Sequence, residues 1–191
     1  MSTAAAVLPH VVDLARWDAE ICFHEDSYEL VEGVPTMAPP ESYGNRCVGM
    51  LLTLLLNPNR DGWIAVTDAG LTIRELPRAT VRCPDVVVGP LASMRPDGHN
   101  EMRLEAGEAL FVAEVVSPSS IERDLVAKRR DYAQAGVPSY LVIDLRDGRR
   151  ELTLYEQRDA DGLFVDVEPT DRVTVTIAGT AIEVGVDDLL A

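Results

Sequence analysis

The chain has 191 residues, 47% of them apolar and 26% charged, which suits one soluble globular domain whose core needs neither disulfides nor structural metal. A formal net charge of -15 argues against the broad cationic surface that grips nucleic acid nonspecifically. Of the 17 basic residues only Lys128 is a lysine, and the rest are arginines.

Taken in chain order, the opening MSTAAAVLPHVVDLARW has no basic leader and reaches Asp13 and Arg16 quickly. It predicts a cytoplasmic protein with a loose arm over residues 1–10 and a short helix around Val11 to Glu20. Tyr28 to Gly33 alternates towards a turn and Val34 to Ala38 resumes, the pattern of a β-hairpin ended by Pro39-Pro40. Ser42 to Leu56 reads as a helix, apolar on most sides in its second half and closed by Asn57-Pro58, too short to span a membrane. Trp63 to Thr67 and Leu71 to Glu75 are strand-like around Asp68-Ala69-Gly70, a hairpin-type turn. Pro84 to Gly89 is a valine run bounded by proline and glycine, which fits a strand covered on both faces.

Pro90 to Glu108 has no period and reads as a loop, and Leu110 to Val116 is a second buried strand. A helix follows from Ser117-Pro118-Ser119 to about Ala135, with Ser119 and Glu122 spaced as a capping box and Gly136-Val137-Pro138 as its exit. Ser139 to Asp144 is the third buried strand, so strand, helix and strand form a βαβ unit with a parallel crossover. Short strands at Glu151 to Gln157, Leu163 to Val167, Val173 to Ile177 and Ala181 to Val184 predict an antiparallel C-terminal extension on the central sheet.

Chemistry concentrates in two of the buried runs. Glu114 sits in the middle of Leu110 to Val116, where an ionised carboxylate is costly unless a cation or strong donors meet it. Asp85 opens the valine run, and neighbouring strands would bring the two carboxylates together. Such a pair takes up a proton or binds a cation, and hard divalent ions (Mg2+ or Mn2+) prefer oxygen ligands. The backbone carbonyl of Val115 offers one more. The alternative is that Asp85 caps a strand end and Glu114 pairs with an arginine.

Lys128 forms an i, i+4, i+8 stripe with Asp124 and Tyr132, read either as a helix salt bridge or as the cation that orients a water and contacts a phosphate. Glu29 and Glu32 in the early hairpin either extend this site or face solvent. Asp144 is assigned to the Arg146-Asp147-Gly148 turn, and Ser117 and Ser119 to the helix cap. Cys22, Cys47 and Cys83 lack CxxC spacing and read as reduced, mostly buried thiols, and His10, His24 and His99 are isolated, so zinc is not expected.

Pro84-Asp85-Val86-Val87-Val88, Ala113 to Ser119, the Asp124, Lys128, Tyr132 stripe, Gly136-Val137 and Tyr140 to Asp144 together resemble the Uma2 family. So does Tyr28 to Gly33, and the resemblance spans roughly Tyr28 to Leu189. That family belongs to the restriction-endonuclease-like PD-(D/E)xK superfamily. The resemblance implies an α/β (α+β mixed) fold, a central mixed β-sheet flanked by helices, and divalent-metal-dependent hydrolysis of nucleic acid, with DNA the first candidate substrate and a homodimer expected. Asp85 would be the PD aspartate and Glu114 the second acidic residue. Val116 stands where the superfamily pattern has lysine, and Lys128, on the following helix, is the substitute. Two other readings stay open: an inactive nuclease-fold interaction module, consistent with the acidity, and a hydrolase of a small phosphate substrate.

Overall fold

The computed structural model describes residues 11–21, 28–37, 41–57, 62–93, 95–96 and 102–190. The expected arm over residues 1–10, Cys22, His24, Ala38, the Pro39-Pro40 break, Pro58 and His99 lie outside the described residues. In chain order the strands are β1 (Tyr28–Val31), β2 (Val34–Met37), β3 (Trp63–Thr67), β4 (Gly70–Arg74), β5 (Thr80–Arg82), β6 (Val86–Pro90) and β7 (Arg95–Pro96). Then come β8 (Met102–Glu105), β9 (Phe111–Val115), β10 (Tyr140–Asp144), β11 (Glu151–Tyr155), β12 (Arg172–Ile177) and β13 (Thr180–Gly185). The helices are α1 (Leu14–Arg16), α2 (Tyr43–Leu56), α3 (Arg129–Gln134) and α4 (Val186–Leu189). A π-helical stretch, Arg123–Lys128, leads directly into α3.

The three apolar runs become β6, β9 and β10 at the centre of a five-stranded sheet ordered β11-β10-β9-β6-β3. β9 and β10 pair in parallel, as the βαβ reading requires, and their neighbours are antiparallel. Side chains alternate between faces. Val86, Val88, Phe111, Ala113, Leu141 and Ile143 pack with Leu52 and Leu56 of α2 and with the β12–β13 hairpin and α4. Their alternates Val87, Val112, Val116, Tyr140 and Val142 pack with Tyr132 and Ala133 of α3 and with Leu71 of β4 and Leu104 of β8. Burial on both faces is why the runs are continuously apolar. A second sheet, ordered β2-β1-β5-β4-β8-β7, closes over a smaller core of Val12, Trp17, Leu30, Ala79 and Val81. The result is a mixed α/β fold with mixed sheets flanked by helices.

Several expectations give way locally. β3 and β4 are not a hairpin: β3 pairs with β6, whereas β4 pairs with β5 and β8 in the other sheet. Asp68 takes a left-handed φ of 54° and the chain changes sheets there, because Trp63 and Ala65 serve the first core and Leu71 the second. The stretch read as a loop from Pro90 to Glu108 contains β7 and β8, and Leu104, Ala106 and Ala109 supply buried apolar positions hidden among charges. The Ser119–Glu122 capping box is not made. Ser120 takes that place, its Oγ accepting from the Ser117 N–H at 2.9 Å. In the tail, β11 extends the central sheet, but β12 and β13 form their own two-stranded sheet, and Leu163 to Val167 makes only an isolated bridge through Phe164. No helix among the described residues is long and apolar enough to cross a membrane.

Two anchors set α2 against the sheet edge that carries Asp85. Asn57 holds β3 through both its amide oxygen, accepting from Ala65 N–H at 2.8 Å, and its amide nitrogen, donating to Ala65 O at 2.9 Å. Gly49 presents bare backbone to β6, where a Cβ would sit 3.7 Å from the Asp85 carbonyl oxygen. Leu141, fully buried between α2 and the sheet, tests this packing. Leu141→Ala is expected to destabilise the fold by about 2–5 kcal/mol in urea unfolding.

Candidate active site

Glu114 is the fourth residue of β9 and alternates with Val112 and Val116, so its carboxylate enters the core on the α3 side. Burial there is nearly complete, with 2% of the residue exposed. Two donors meet one of its oxygens: Lys128 Nζ donates to Oε1 at 2.8 Å and Tyr132 Oη donates to the same atom at 2.6 Å. Lys128 and Tyr132 come from successive turns of the helix after β9, and Asp124 one turn earlier is buried with them. The stripe read from the sequence is therefore the inward face. Within it, the Asp124–Lys128 helix pair is the weakest contact, at 3.9 Å. The π-helical winding, a feature that recurs at functional sites, leaves the Asp124 carbonyl to accept from Tyr140 Oη at 2.9 Å.

Glu29 does not face solvent. It lies on β1 beneath the same lysine, with Lys128 Nζ 3.1 Å from its Oε1. Its other oxygen accepts from Arg82 Nη1 at 2.8 Å, and Oε1 also accepts from the Cys83 N–H at 3.1 Å. Arg82 in turn donates twice to Asp131 Oδ2, at 2.6 and 3.0 Å. A buried chain of charge thus runs Asp131–Arg82–Glu29–Lys128–Glu114. Burial opposes the Lys128 charge, but Glu114, Glu29 and Asp124 outweigh it and raise its pKa, so the ammonium stays protonated. Burial likewise works against ionised Glu29, yet Lys128, Arg82 and the Cys83 N–H hold its carboxyl down at about 2. Burial, aided by Asp85 and Asp124, pushes Glu114 above the usual carboxylate range against the pull of Lys128.

Asp85 precedes β6. The β6–β9 register pairs Val86 with Ala113, and one further step sets Asp85 opposite Glu114. Asp85 Oδ2 accepts from the Val115 N–H at 2.6 Å, past the last β6–β9 pair. No cation among the described residues reaches it within bonding distance, and burial, with Glu41 and Asp124 nearby, pushes its carboxyl up to about 6. Asp85 Oδ1 and Glu114 Oε2 accept no hydrogen bond from any described residue. Beside them the Val115 carbonyl accepts a bond of only 3.3 Å from Asn45 Nδ2. Three oxygens, with no histidine or thiolate, form a donor set suited to a hard divalent cation that keeps waters and a substrate phosphate in its remaining positions. No three His, Cys, Asp or Glu side chains among the described residues converge as a metal cage, so the carbonyl, water and phosphate would have to complete the shell.

The other sequence candidates fall outside this arrangement. Glu32, at a left-handed turn, pairs with Arg74 at the surface. Asp144 accepts from Arg146 Nη2 at 2.6 Å and from its backbone N–H at 3.2 Å, as a turn residue does. Ser117 and Ser119 bond each other at 3.2 Å. Cys47 and Cys83 are unbridged and only partly buried. Sequence reasoning missed Arg82, Asp131, Asn45 and Glu41. Periodicity sets neither Arg82 nor Asp131 apart, and the sole available signal for Arg82 is its place between Val81 and Cys83 in a short β-forming run.

Two substitutions separate the paired carboxylate from the unpaired one. Glu29→Gln is expected to cost about 3–5 kcal/mol at pH 7, because it takes one counter-charge from each of two buried cations, Lys128 and Arg82. The Glu29 contribution is complete above its unfolded value of 4.5 and is lost as pH falls towards 2, so the difference between wild type and variant should shrink across that window. Asp85→Asn carries the opposite sign. The folded state protonates Asp85 more readily than the unfolded chain does, so ionisation costs stability as pH rises from 3.8 through about 6. Thermal melts in chelator should find Asp85→Asn more stable than wild type on the order of 2 kcal/mol at pH 8, and equal to it below pH 3.8.

Comparison with known proteins supplies a context for this geometry. The Uma2 family, described as "Putative restriction endonuclease", matches residues 13–186. No curated protein matches the chain. Among solved structures, a "putative nuclease belonging to DUF820" from Anabaena variabilis shares the fold with a TM-score of 0.63. It is 14% identical, and the alignment covers 87% of this chain and 90% of that one.

Proposed function

The chain belongs to the Uma2 family, and on that footing we propose that it is a restriction-endonuclease-like nuclease that hydrolyses phosphodiester bonds of nucleic acid, DNA foremost. Asp85, Glu114 and the Val115 carbonyl hold Mg2+ or Mn2+, and Lys128 is the catalytic cation. The observation that carries this reading is the buried ammonium clamped to Glu114 beside two carboxylate oxygens that no described residue satisfies. When bound, such an ion acidifies a water and offsets the charge developing on phosphorus.

Lys128 has three N–H donors. Glu114 and Glu29 accept two of them, and Asp124 at 3.9 Å is too far to accept the third. That donor is open to an attacking water or a phosphate oxygen. Because Lys128 stays protonated, it orients and stabilises rather than acting as a base. Glu29 is a positioning residue: Arg82 and the Cys83 N–H fix its carboxylate, which fixes the ammonium. Tyr132 holds the same Glu114 oxygen and so turns the other outward. A cytoplasmic homodimer belongs to the same proposal, with sedimentation at assay concentrations as its check.

Calorimetric titration with Mn2+ is expected to detect binding to the wild type and none to Asp85→Asn or Glu114→Gln, both of which keep an acceptor oxygen and the fold. Lys128→Gln should retain the ion but lower the cleavage rate by about 10^2–10^3. Wild-type protein that binds no Mn2+, or variants that bind it equally well, would replace this reading with the interaction module.

A further inference from the structure

A cleft of about 230 Å³ opens at Asp85, between the N-terminal half of α2 and the end of β3. Glu41, Asp68 and Asp85 contribute carboxylates to its lining, and Arg46 contributes the one cation. Arg46 is exposed and its guanidinium forms no ion pair or hydrogen bond with any described residue, although three acids share its cleft. The arginines nearest Lys128 behave differently. Arg82 bridges Glu29 and Asp131, Arg129 reaches Asp166 at 2.7 Å, Arg130 reaches Asp131 at 3.1 Å, and Arg123 lies 3.4 Å from Asp124. Those guanidiniums are already engaged by carboxylates.

An unpaired fork of N–H donors matches a phosphodiester in shape and charge. α2 contains no acidic residue, so nothing on its own helix competes for Arg46. In a chain of net charge -15, an approaching phosphate is repelled over most of the surface, and a free cation at the mouth of the site is where attraction can be focused. Arg46 also follows Asn45, whose amide reaches the Val115 carbonyl at 3.3 Å, so it stands immediately beside the proposed metal edge. We infer that Arg46 is the substrate anchor: it binds the phosphate next to the scissile one, on a nucleic-acid strand laid along the cleft. This rests on the nuclease reading above and adds the group that recognises the strand.

The test is steady-state cleavage of a fluorescent single-stranded DNA oligonucleotide with Mn2+ at several KCl concentrations, alongside anisotropy for binding. Arg46→Ala should raise KM roughly tenfold with kcat within about twofold of wild type. The slope of log kcat/KM against log salt should become shallower by about 0.7, the value of one single-strand phosphate contact. Arg46→Lys should keep most of that slope. Arg150→Ala, which removes a guanidinium paired with Asp187 in the C-terminal region, serves as the control and should match wild type. An active wild type whose Arg46→Ala variant has the same KM and slope, or loses kcat at unchanged KM, overturns the anchor alone. A wild type that neither binds nor cuts the oligonucleotide overturns the anchor and the nuclease reading together.

Discussion

The ammonium of Lys128 is the hinge of the charged interior. Its residue is 3% exposed, and Glu114 and Glu29 meet it from two different sheets, at 2.8 and 3.1 Å, while Asp124 stands one helical turn away. A buried ammonium without these partners would lose its proton, and the carboxylates without it would take protons up. The β1–β2 hairpin, the central sheet and the helix after β9 are therefore tied together electrostatically as well as by packing. Arg82 completes the tie, since it neutralises the side of Glu29 turned away from Lys128 and fastens α3 through Asp131.

Compensation is uneven, and the proposed site rests on that unevenness. Glu29 and Asp131 are matched by cations at hydrogen-bonding distance. Among the described residues Asp85 has only the Val115 N–H, and Glu114 has Tyr132 and a lysine that Glu29 also claims. Asp85 and Glu114, each with an oxygen that no described residue satisfies, are adjacent in register where β6 and β9 pair, next to a backbone carbonyl and the mouth of a cleft. That arrangement suits a site whose remaining charge is balanced from outside.

Much of this could be read before any coordinates. The three apolar runs, the parallel pair and the inward stripe on the intervening helix follow from periodicity, because a residue at the wrong step of a two-residue or four-residue repeat would be on the wrong face. Glu114 and Asp85 stood out because each interrupts or opens a run where charge is expensive. Local pattern misled elsewhere. Asp68-Ala69-Gly70 has hairpin chemistry, yet the strands it joins bury their apolar residues in different cores. β8 was hidden because it is short, with Met102 and Leu104 its only apolar residues, each flanked by charges.

The amino-acid sequence by itself determined that carboxylates within or opening an apolar run, Glu114 and Asp85, needed partners, and it left Lys128 between a helix salt bridge and an inward cation. Tertiary structure decided who those partners are. Arg82 reaches Glu29 across 53 residues and Asp131 across 49, and no periodicity links such positions. It also decided that Glu29 points inward while Glu32 points out, a difference set by the pleat of β1 and the left-handed turn after it. The physical reason is range: the cost of burying a charge is a property of the residue and its near neighbours, whereas its compensation depends on which distant strands and helices the packing brings within about 3 Å.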